Sequence, residues 1–203
     1  MSMRASTTSN PLLLQTIWPA RVTPIAIRAV VLAFAGAGLM TLAAKISVPF
    51  WPVPMTMQTL AVALIGLTYG PRLAFASLAL YLTQGLVGLP VFVGTPAQGI
   101  GPAYMMGPTG GYLVGFLLAA WAVGALAARG WSRTVPKAFL AVFVGELVIF
   151  GCGLAWLSTL LGPEKAIAAG LLPFLPGEAL KVSLAALAVP AVWRLIRRDQ
   201  SAG

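Results

Sequence analysis

Residues 173–193 read PFLPGEALKVSLAALAVPAVW. The stretch is long and apolar enough to cross a bilayer, since about 20 helical residues span about 30 Å of hydrocarbon. Two ionisable side chains interrupt it, Glu178 and Lys181. A charge at membrane depth costs roughly 2.5–3.5 kcal/mol on insertion scales, so it faces a cavity or a partner rather than lipid. Three apart on a helix, the two share one face, with Cβ atoms about 5–6 Å apart. One accepts hydrogen bonds and the other is a cationic donor. The pair therefore reads as a site for a small polar molecule or as a neutralised structural ion pair.

The rest of the chain repeats this pattern. Of its 203 residues 59% are hydrophobic and only 8% charged, and the mean hydropathy is +0.92. Soluble domains carry about 25% charged residues. The expectation is an all-α integral membrane protein with six spans, near 24–45, 56–70, 72–88, 110–128, 137–161 and 173–195. The second and third are short, divided by Tyr69, Gly70, Pro71 and Arg72. An N-terminal tail, 1–22, precedes a six-helix transmembrane domain, 23–198, and shows no secretory signal pattern. Cys152 lies in an apolar span and reads as a small packed hydrophobe.

Six spans place both termini on one side. With that side cytoplasmic, Arg4, Arg21, Arg28, Arg72, Arg129, Arg133, Lys137, Arg194, Arg197 and Arg198 fall inside, and only Lys45 and Lys165 outside. This asymmetry is the positive-inside signal, and an odd number of spans would destroy it. It also explains the net charge of +9 without nucleic acid, because the basic residues sit in short clusters between spans. Lys181 lies 13 residues before Arg194, roughly 20 Å at 1.5 Å per residue. The pair then lies in the outer half, lining a cavity reached from outside.

The external segments look built for binding. In 45–58, Pro49, Pro52 and Pro54 bar regular helix and favour a stiff extended path. That segment carries Phe50 and Trp51 as aromatic cover and Thr56 and Gln58 as hydrogen-bonding groups. A plain interfacial loop, with Trp51 in the aromatic belt, is the competing reading. Segment 89–111 is uncharged and rich in Gly and Pro, which permits close backbone approach or tight turns. Gly107–Tyr112 superficially resembles a phosphate loop but lacks its Gly-Lys-Ser/Thr ending, so an ATP-driven role needs a separate ATPase.

Ala29, Ala33 and Ala37 recur at spacing four on the first span, a pattern that lets a helix of this chain or of another subunit approach closely. Glu146 sits mid-span, as an internal hydrogen-bonding group or part of a proton path. With no His, one Cys and four acids, neither an enzyme nor a metal site is expected.

Five motifs occur in order: PVPMTMQTL at 52–60, LTYGPR at 67–72, GLPVF at 88–92, GPTGGYL at 107–113 and PGEALK at 176–181. Together they resemble the BioY family, the S components that capture biotin for energy-coupling factor (ECF) transporters. The resemblance covers about residues 24–195. It implies a six-helix S-component fold in a bacterial inner membrane and biotin bound near the external face. It also implies a transmembrane coupling protein and two cytoplasmic ATPases as partners, with no cofactor. A second copy of the chain stays open as a further partner.

The site implied comprises Glu178 and Lys181, Thr56 and Gln58, Trp51, Phe92 and Tyr112 around the apolar part, and Gly111 in the loop motif. Ala29, Ala33 and Ala37 match the coupling face. One departure is Glu at 178, where the family motif more often has Asp. An S component for another vitamin, riboflavin or thiamine, is the alternative, and a non-transport scaffold with a structural ion pair is the third.

Overall fold

The structure is a computed structural model and describes residues 12–17, 24–49 and 51–202, with side chains to Arg197. In chain order it contains α1 (Leu13–Ile17), α2 (Ile25–Lys45), β1 (Ser47–Val48), β2 (Met55–Thr56), α3 (Gln58–Tyr69) and α4 (Pro71–Leu86). There follow α5 (Gly101–Met105), α6 (Gly110–Ala128), a 3-10 turn (Trp131–Arg133), α7 (Val135–Leu161), α8 (Pro163–Gly170) and α9 (Leu175–Ala202).

The six helices expected from hydropathy are α2, α3, α4, α6, α7 and α9. By length and composition α2, α6, α7 and the Leu175–Arg197 part of α9 can cross a membrane. With 12 and 16 residues, α3 and α4 are about 18 and 24 Å long. Gly70, at φ +78°, ends α3, and Pro71 opens α4 at once. The left-handed conformation favours Gly, and Pro suits the first helical position.

The all-α expectation needs one amendment. β1 and β2 pair antiparallel, Ser47 with Thr56 and Val48 with Met55. The prolines between them bar helix, and the extended ends of the turn satisfy each other's backbone groups. The tail expectation changes too. Leu13 of α1 is buried with Leu67, Val123 and Trp193 in one of two core clusters, so 12–17 is docked. Residues 1–11 and 18–23, with Arg4 and Arg21, lie outside the described residues.

The second cluster joins Met40, Tyr81, Phe92, Tyr104, Tyr112, Phe116 and Phe174. Close helix approach positions it. A Cβ at Gly115 of α6 would stand 2.8 Å from the Ile149 Cα of α7, and one on Gly111 would overlap Trp156. By contrast α2 is lightly embedded. Ile27, Val30, Val31, Phe34 and Leu42 are exposed, while Gly36 abuts Ser77 of α4.

Candidate ligand-binding site

The site grows from the start of α9. Glu178 lies in its first turn, where the helix dipole favours a negative charge. Lys181 follows one turn on, its Nζ 2.7 Å from Glu178 Oε1. The ammonium also donates to the Thr56 carbonyl at 2.6 Å and to Thr59 Oγ1 at 3.2 Å. Thr59 donates to Glu178 Oε2 at 2.7 Å. All three ammonium protons are engaged and each carboxylate oxygen accepts one bond, which leaves lone pairs on Glu178 for a ligand. The side chains are 12% and 8% exposed. At that burial, removing one partner strands a charge and costs about 3–5 kcal/mol.

Two cavities meet at this pair. One is walled by Phe92, Tyr104, Tyr112, Phe116, Phe150 and Phe174, with Thr56, Gln58, Thr59 and Glu178 as polar lining. The other is lined by Lys181 and by Ile46, Met55 and Met57. They share Thr56, Phe174 and Glu178. An apolar, aromatic-walled chamber with a few convergent polar groups is the usual form of a small-molecule site.

The aromatic walls are fixed. Phe92 stacks on Tyr104, centroids 4.9 Å apart, and meets Tyr81 edge-on at 5.4 Å. Tyr112 donates from its hydroxyl to the Gly170 carbonyl at 2.8 Å, locking α6 to the end of α8. Lys45, at the end of α2, donates to the Phe92 carbonyl at 2.9 Å and to the Thr95 carbonyl and hydroxyl, each at 3.3 Å. These bonds pin the turn that presents Phe92.

Of the residues expected from sequence, Thr56, Gln58, Phe92, Tyr112 and Glu178 line the first cavity and Lys181 the second. Trp51 does not join them; it is 77% exposed. Gly111 lies in the α6–α7 contact. Phe50 lies outside the described residues. Thr59, Tyr104, Phe116, Phe150 and Phe174 were not legible. Phe174 had the best signal, four residues before Glu178 and flanked by Pro173.

A family model described as the BioY family matches residues 12–198. The chain belongs to the BioY family. It is 38% identical over 149 residues to the probable biotin transporter BioY of Pyrococcus horikoshii, covering 73% of this chain and 86% of that one. To the biotin transporter BioY of Thermotoga maritima it is 36% identical over 151 residues, with the same two coverages. A crystal structure of the S-component for biotin from an ECF-type ABC transporter superposes with TM-score 0.72 and 22% identity, over 83% of this chain and 92% of that one. The fold is thus the S-component fold.

In this BioY chain the alanine stripe of α2 does not lie on one open face. Ala29 is exposed, Ala33 half-buried, and Ala37 fully buried in the core. The stripe therefore runs from the surface into the molecule as α2 leans onto α4. Glu146 of α7 is buried, and its Oε2 has no hydrogen-bond partner among the described residues.

Proposed function

We propose that this BioY chain captures biotin from outside the cell as the substrate-binding S component of an ECF-type ABC transporter in a bacterial plasma membrane, both termini cytoplasmic. The observation that carries the reading is the aromatic cavity with Gln58, Thr59 and Glu178 at its polar side and Lys181 paired to Glu178 behind it, in a chain whose family relatives are named biotin transporters. Biotin's fused apolar ring and valerate suit the aromatic walls. Its ureido group brings two N–H donors and one carbonyl. Glu178 and Gln58 supply acceptors for the first, and Lys181 a donor for the carbonyl or the ligand carboxylate. Lys181 lines the second cavity and would exchange one of its three present acceptors for the ligand, whereas the Lys45 bonds hold the 92–95 turn.

In this reading a membrane coupling protein and two ATPase subunits drive transport; the sequence carries no phosphate loop, so an ATP-driven step needs a separate ATPase. The exposed outer face of α2, with Ala29 and the edge of Ala33, is the docking surface for the coupling protein. The positive-inside asymmetry supports the orientation.

Equilibrium binding of labelled biotin to the purified, detergent-solubilised chain tests the reading, with excess cold biotin, riboflavin and thiamine as competitors. Saturable binding displaced only by biotin supports it. Displacement by another vitamin reassigns the ligand, and no binding by a folded chain removes it.

A further inference from the structure

We propose that Tyr81, which stands outside the cavity, fixes the hydrogen-bond polarity of Gln58 inside it and so selects a ligand that presents an N–H donor at that point. The inference rests on the biotin reading above for its probe.

Tyr81 is fully buried and is not part of the cavity lining. Its hydroxyl stands between two groups. On one side is the Val91 backbone carbonyl, at 3.4 Å; on the other is Gln58 Nε2, at 2.8 Å. A carbonyl only accepts, so the hydroxyl proton points to Val91. The hydroxyl oxygen is then left to accept, and the end of the Gln58 side chain facing it must be the NH₂ group. An amide can otherwise present either end, and its orientation is settled by its network.

With NH₂ held by Tyr81, Gln58 Oε1 turns the other way. There it meets Thr56 Oγ1 at 3.3 Å. The Thr56 oxygen already accepts from the Gln58 backbone N–H at 3.2 Å, so its proton is free to go to Oε1. The relay runs in one direction, from Thr56 through Gln58 and Tyr81 to Val91. Gln58 lines the cavity, and its Oε1 keeps one lone pair for a donor there. Glu178, on the same cavity, also accepts. A ligand that offers N–H groups satisfies such a wall. One that offers an oxygen faces two like dipoles, and a buried mispaired polar group costs more than a missing bond returns. The Tyr81 ring itself is held edge-on by Phe92, which fixes where the hydroxyl oxygen stands between Gln58 and Val91.

The test measures equilibrium binding of biotin and of its cyclic carbamate analogue, in which one ureido N–H is replaced by oxygen. The proteins are the wild type, Tyr81→Phe, Gln58→Ala and the double variant, each checked by thermal melt. Tyr81→Phe keeps the ring and frees the amide. Biotin should bind it about tenfold more weakly, the scale of one mispaired buried hydrogen bond. The preference for biotin over the carbamate should narrow with it. In the Gln58→Ala background, Tyr81→Phe should add nothing, since coupled residues are not additive; a merely structural tyrosine would give additive losses.

Should Tyr81→Phe fail to fold, Gln58→Glu and Gln58→Leu carry the test. The carboxylate, an acceptor at both ends, should keep the preference for biotin, and leucine should lose it. Equal biotin affinity in wild type and Tyr81→Phe overturns this inference alone, as do additive penalties or a preference lost in both Gln58 variants. A wild type that binds no biotin overturns the inference together with the reading it rests on.

Discussion

Lys45 and Lys181 each give three hydrogen bonds to oxygens near the cavity, yet they do different work. Lys45 bonds two carbonyls and a hydroxyl of the 92–95 turn. Lys181 bonds a carbonyl, a hydroxyl and a carboxylate. The Lys45 acceptors belong to one loop, so the ammonium closes a turn. The Lys181 acceptors come from the β2 end, from α3 and from α9, so that ammonium ties three elements. Among the described residues Lys181 has an anion at contact distance and Lys45 has none, and Lys181 lines the second cavity. A neutralised lysine beside open volume can exchange one oxygen for another at low cost. A lysine that closes a loop can only shape the wall. This is the difference between a cation on a cavity wall and a clasp.

The sharpest way to break the contrast is Lys181→Ala. It strands Glu178, and biotin affinity should fall on the order of a hundredfold or more, matching about 3 kcal/mol for a broken buried pair. Titration with labelled biotin reads the loss, and unchanged affinity would take the pair out of the site. Replacing both residues, Glu178→Leu with Lys181→Met, should melt at a higher temperature than either single variant, because no charge is left stranded. Equal or lower melting would mean the pair is a net source of stability.

Lys45→Met should be milder, about tenfold in affinity, with faster amide exchange confined to the 92–95 turn. A loss as large as that of Lys181→Ala would erase the distinction. Thr59→Val removes the bridge between Lys181 and Glu178 and should cost a few-fold, about 1 kcal/mol. Smallest of all, Ala33→Leu on α2 should leave biotin affinity unchanged within about twofold and reduce uptake by the assembled transporter. Intact uptake would move the docking surface elsewhere.

The long helices were legible because lipid imposes one period and one length on the chain. The turn between α3 and α4 was legible because Gly70 and Pro71 announce it. The ladder of β1 and β2 was not, since the prolines exclude helix without saying what replaces it. α8 had no signal, because its eight residues, PEKAIAAG, are too short and too polar to register as a span. At the site, charge in an apolar helix exposed Glu178 and Lys181, and polar residues beside prolines exposed Thr56 and Gln58. Thr59 looks the same in sequence as Thr56; only the azimuth of α3 turns it toward α9. Trp51 was chosen for its chemistry, but the loop carries it outward. Tyr81 had no signal, because its partner Gln58 is 23 residues away.

The cavity is opened by the shortness of one helix. α3 has 12 residues, about 18 Å, in a fold whose neighbours cross about 30 Å of hydrocarbon. Its N-terminal end, where Thr56, Gln58 and Thr59 stand, meets the chamber. The proline-bearing loop roofs that gap without filling it. A full-length third span would leave a closed bundle with nowhere for a guest. The chamber is thus a room made by stopping a wall early, and lengthening α3 by one turn should close it.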